Sequence, residues 1–161
     1  MGFVPRKKET IMAAYSVNQV IRDALVGRSQ TLLSETVTTA VTATTTTAVE
    51  IGPTTRSVAL QCVFTYGSSG TSATYRVQTS FDGGTTWIDI ANFAHTTASL
   101  NRVYNLSSLT PVTTVYTVLD GTLTDNTAKD GLIGSLLRVK RTTVGTYAGS
   151  TTVAIYAHSK P

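Results

Sequence analysis

Ser80-Phe81-Asp82-Gly83-Gly84-Thr85-Thr86-Trp87 is a turn between two strands, and it decides the fold. Glycine reaches positive φ without a Cβ clash, so Gly83-Gly84 flanked by β-formers marks a hairpin. Before the turn, Tyr75, Val77 and Thr79 alternate with Arg76, Gln78 and Ser80, the period of a half-buried strand. After it, Trp87-Ile88-Asp89-Ile90 alternates again. Asp82 is placed to fold its carboxylate onto the turn's own N–H groups, and Trp87 supplies an apolar lid. A self-braced hairpin of this kind announces a β-protein.

Outward from the hairpin the chain keeps the same character. Thr is about one residue in five, and a β-branched side chain that is stiff at χ1 suits a pleated surface. Strands are expected at about 57–66, 73–80, 87–93, 100–106, 112–119, 132–144 and 151–158. The Thr- and Val-rich run 32–51 forms two more, or one long strand broken near Thr44–Thr47. Seven to nine short strands with regular turn signals predict an all-β fold, a β-sandwich of Ig-like or jelly-roll-like type. At 161 residues one such domain, over 29–161, buries a core without disulfides. The lone Cys62 sits in the apolar run 57–64 as a small core side chain.

Residues 1–28 read differently. Five basic residues there (Arg6, Lys7, Lys8, Arg22, Arg28) face two acidic ones, a net +3, whereas the rest of the chain has eight against seven. The basicity belongs to an N-terminal arm, not to a nucleic-acid-binding face. No apolar h-region follows the basic start and no run approaches a membrane span, so neither a signal peptide nor a membrane partner is expected. Ser16 and Gln19 form a capping-box pattern, and Val17, Val20, Ile21, Ala24 and Leu25 recur at helical spacing up to Gly27. This predicts a short helix at about 17–26. It either closes the domain's own core or, with Arg6, Lys7, Lys8, Val20, Ile21 and Leu25 as contacts, docks the arm on an acidic partner.

Chemistry-bearing patterns are few. His95 and His158, the only histidines, have no acidic partner at ligand spacing and are expected as solvated surface residues. Asp120, Asp125, Asn126 and Asp130 share one loop, but their spacing fails the EF-hand pattern and an Asx-rich turn accounts for them. Arg138, Lys140 and Arg141 are expected on a solvated edge strand or, alternatively, in contact with an acidic neighbour. No nucleophile, phosphate-loop or zinc motif occurs. The expectation is a protein with no enzymatic activity, cofactor or metal.

Ser80-x-Asp82-x-Gly84-x-Thr86-Trp87 matches every position of the Asp-box, S-x-D-x-G-x-T-W, and so resembles hairpins of sialidase-type propellers and other β-proteins. In those families the box is structural and lies away from the catalytic site. A single copy in a chain too short for a multi-bladed propeller implies a braced hairpin, with no glycosidase attached. Over residues 57–157 the sequence is also similar to small β-sandwich structural proteins of tailed-bacteriophage virions. That resemblance implies a virion protein whose partners are major capsid, neck or tail subunits. A head decoration (cement) role and a homo-oligomeric trimer or ring are expected, with a neck or tail component as the alternative. A carbohydrate-binding module is a further alternative, distinguished by whether Trp87 lies open in a groove or packed under its hairpin.

Overall fold

The computed structural model describes residues 27–161, so the predicted helix and the arm residues Arg6, Lys7, Lys8, Val20, Ile21 and Leu25 lie outside it. The described chain is all-β. Its strands are β1 (Arg28–Thr36), β2 (Val41–Thr45), β3 (Val49–Glu50), β4 (Ser57–Thr65), β5 (Ser68–Ser69), β6 (Ser72–Ser80), β7 (Ile88–His95), β8 (Leu100–Ser107), β9 (Leu136–Val144), β10 (Tyr147–Ala148) and β11 (Thr152–Lys160). Eleven strands exceed the expected seven to nine. The surplus is short: β3, β5 and β10 hold two residues each. The run 32–51 yields three strands, its pairing with β9 slipping between Val41 and Thr44, where Ala43 has φ of 49°.

All pairings are antiparallel. One sheet has the order β1-β11-β4-β8 and the other β2-β9-β6-β7, with β3 also on β9; β5 and β10 form a small separate pair. The two main sheets stack in a sandwich-like arrangement. Strict alternation makes the core: Val58, Leu60, Cys62 and Phe64 from β4 meet Ala73, Tyr75 and Val77 from β6, with Ile155 and Val139 behind them. Rings bridge the sheets, Phe64 to Tyr75 at 6.4 Å and Phe93 to Tyr104 at 5.1 Å between centroids. Each fully buried aliphatic side chain of this kind contributes about 1.5–3 kcal/mol. At one margin the Arg141–Glu35 ion pair ties β9 to β1 across the two sheets.

Two expectations need correction. β9 lies between β2 and β6, so Arg138, Lys140 and Arg141 are on a central strand instead of an edge. Val112–Leu119 forms no strand. Within the segment 108–135, the stretch 119–129 instead lies along the open edge of β7, where Asp89 N–H donates to Leu119 C=O (2.8 Å), Asn92 N–H to Thr127 C=O (2.9 Å) and Lys129 N–H to Ile90 C=O (2.8 Å). An uncovered strand edge is a template for wrong pairing, and this segment blunts it.

Candidate functional site: the braced hairpin and the polar cluster beside it

Between β6 and β7 the chain leaves the sheet after Ser80 and returns at Ile88, so the turn is longer than a two-residue hairpin. Gly83 and Gly84 have φ of 70° and 95°, the conformation that only glycine adopts freely. The Asp82 carboxylate accepts the Thr86 N–H at 2.8 and 3.0 Å and the Ser80 hydroxyl at 2.8 Å. Ser80 Oγ in turn accepts the Gly84 N–H at 2.8 Å. These bonds, the Thr86 backbone N–H foremost, hold the Asp82 carboxyl down at about 2. Trp87 Nε1–H donates to Gly84 C=O at 2.8 Å. The indole is only 8% exposed, while Phe81 at the tip is 57% exposed. Ser80, Asp82, Gly84, Thr86 and Trp87 therefore close one brace on themselves, with Trp87 packed and not open to a groove.

A second set of polar groups adjoins the brace. The Arg138 guanidinium lies 4.0 Å from the Trp87 ring centre, and its Nε–H donates to Gln78 Oε1 at 2.8 Å. Gln78 Nε2 donates to Asp89 Oδ1 and to Asp120 Oδ1, both at 2.7 Å. Asp89 is fully buried, and its Oδ2 accepts the backbone N–H groups of Gly121 (2.7 Å), Thr122 (2.9 Å) and Leu123 (3.1 Å). Lys140 pairs with Asp120 at 2.8 Å, which together with the Gln78 bond lowers the Asp120 pKa. Two carboxylates thus face two cations, with both Asp89 oxygens and Asp120 Oδ1 engaged. Asp89 acts as a clamp on the 119–123 backbone and is out of reach of any substrate. Sequence reading passed over it; the available signal was a lone acid between Ile88 and Ile90 on a strand.

The loop acids do not converge. Asp125 accepts from Asn92 Nδ2 at 3.0 Å, Asn126 Oδ1 accepts from the Ala94 N–H at 3.0 Å and from Arg102, and Asp130 accepts from the Ser107 N–H and the Thr110 hydroxyl at 2.5 Å each. Among the described residues no three His, Cys, Asp or Glu side chains are grouped to hold a metal ion.

His95 is not a surface residue. It is 2% exposed, stacks on Phe64 at 4.5 Å and lies 3.4 Å from Cys62 Sγ. The inward series Ala91, Phe93, His95 continues one step further than expected, because β7 runs on to pair His95 with Ala73. Burial, helped by the nearby Arg102 charge, pushes the imidazole down to about 4; burial likewise pushes the Cys62 thiol up to about 12. A Cys–His contact usually invites thought of a thiolate nucleophile, but here both partners are neutral at pH 7. His158 is half-buried on the opposite sheet, its Nδ1 2.7 Å from Ser29 Oγ. Comparison with protein-family models, with curated proteins and with solved structures finds no match to the chain.

Proposed function

We propose that this chain is a non-enzymatic structural protein of a tailed-bacteriophage virion, acting as a decoration or cement subunit that adds buried area between neighbours. The observation that carries this reading is an apolar ridge on the segment 108–135. Leu109, Val112, Val115 and Val118 recur every third residue and are exposed by 67, 45, 100 and 46%. Pro111 within the ridge favours an extended backbone. Side chains of this kind, spaced along a segment that is pinned at both ends, suit a protein packed against others better than one free in solution. The low charge of the whole chain, 14%, points the same way.

In this account the ridge meets a capsid subunit. The basic cluster Arg6, Lys7 and Lys8 speeds docking onto an acidic neighbour and sets its orientation. A trimer or ring supplies repeated attachment points. A neck or tail position would use the same surfaces. Sugar binding is disfavoured because the Trp87 ring is covered by Arg138 on one side and bonded to its own turn. The test is a Val112→Asp/Val115→Asp variant in a particle co-sedimentation assay. Loss of association with an unchanged Tm is expected; normal association would overturn the ridge as the contact.

A further inference from the structure

A strand edge is the part of a sheet that can pair again, and the edges of the two main sheets are unequal. β7 is covered by 119–129, the pairing of β2 slips between Val41 and Thr44, and that of β1 slips between Thr31 and Leu33. β8 pairs with β4 from Leu100 to Ser107 without a break in register. The end of β8 shows which of its backbone groups face its free side. Ser107 N–H donates to Asp130 Oδ1 at 2.5 Å and Ser107 C=O accepts the Gly131 N–H at 3.0 Å, while the Ser108 N–H turns the other way, to Arg56 C=O at 2.7 Å. Backbone groups alternate in direction along an antiparallel strand, so those of Asn101, Val103 and Asn105 also point away from β4. Among the described residues they have no backbone partner on that side.

The sequence of this edge, Leu100-Asn101-Arg102-Val103-Tyr104-Asn105-Leu106, reads nearly the same in both directions about Val103. An antiparallel partner of the same sequence sets Leu100 against Leu106, Asn101 against Asn105, Arg102 against Tyr104, and Val103 against itself. Apolar meets apolar, amide meets amide, and the one charge of the stretch meets an uncharged residue, so no like charges are opposed. The faces match as well. Register with β4 places Arg102, Tyr104 and Leu106 on the core side, opposite Cys62, Leu60 and Val58, and Asn101, Val103 and Asn105 on the outer side. An inward charge on an edge strand commonly guards against pairing, but the Arg102 guanidinium is tied to Ala94 C=O at 2.5 Å and to Asn126 Oδ1 of its own chain. We infer that two copies of this chain pair through β8, antiparallel about a two-fold axis at Val103, and join their four-stranded sheets into one continuous sheet. The ladder ends where Ser107 is already bonded to Asp130 and Gly131. Such a contact closes at two copies, so it is separate from any trimer or ring contact and does not rest on the virion reading.

The test is the mass of the purified full-length protein by sedimentation as its concentration rises. An edge of this length is a small interface, so the wild type is expected to pass from single to paired copies over that range. Val103 is 61% exposed, so substitutions there spare the core. Val103→Lys sets two like charges opposite each other on the axis and should halve the mass reached at the same concentration. Val103→Cys reads the register. Paired copies bring its two Cα atoms to about 5.5 Å, within disulfide reach. Mild oxidation should then link copies about tenfold or more faster at 103 than at Val144→Cys, a position 48% exposed on the other sheet. Cys62 stays silent because it is buried. A wild type that keeps the mass of one chain at every concentration, a Val103→Lys variant as heavy as the wild type, or equal linking rates at 103 and 144 would each overturn the inference.

Discussion

Asp82 and Trp87 divide the hairpin between charge and packing. Trp87→Ala removes a buried ring and is expected to lower stability by ~3–5 kcal/mol, read by chemical denaturation. Asp82 acts through its ionised form. Its folded pKa lies below the ordinary carboxylate value, so its contribution is present above about pH 4 and is lost as pH falls toward 2. Asp82→Asn should flatten that acid limb, and an unchanged limb would remove Asp82 from the brace. His95 acts in a higher window. It is held neutral, so the unfolded chain binds a proton that the folded one resists between about pH 6.5 and 4. Stability is full above 6.5 and falls by something of the order of 3 kcal/mol on approaching pH 4. His95→Phe should abolish the fall; its persistence would contradict the assignment. The brace was legible in sequence because all its bonds are local. The place of His95 was not, since a strand end and a loop look alike until the partner strand is known.

At the scale of elements, the stretch 119–129 is fixed to β7 by backbone pairing and by the Asn92 amide, and the buried Asp89 carboxylate clamps its first turn. Asp89→Asn would set an amide donor against either Gln78 Nε2 or three backbone N–H groups, and should cost about 3 kcal/mol. Hydrogen exchange should then rise over 119–129 while β4 and β11 stay protected. Uniform protection would show that the clamp is not what holds the segment. The same segment explains where strand reading failed. Val112–Leu119 is rich in β-formers, yet β-propensity is a matter of which neighbour is available, and 119–129 meets an edge already shaped by a bulge between Val77 and Gln78. β4 and β11, which alternate cleanly, and β6, which does so only up to Val77, were legible to within a residue or two.

For the whole molecule, the fold class followed from period-two patterning, but the strand order did not. β1 pairs with β11 across the full length of the described chain, a choice made by core shape and not by any local signal. Among the described residues a core from Leu32 to Ala157 joins both sheets, and removing residues 1–26 is expected to leave a folded sandwich by circular dichroism. It should also lose the basic cluster and associate less with particles at low salt; unfolding would mean the segment completes the core. Imaging of purified phage particles labelled with an antibody to this protein tests the central claim most directly. The account predicts regular labelling at the head surface, or at the neck or tail, that survives washing. Particles that carry none of the protein would contradict it.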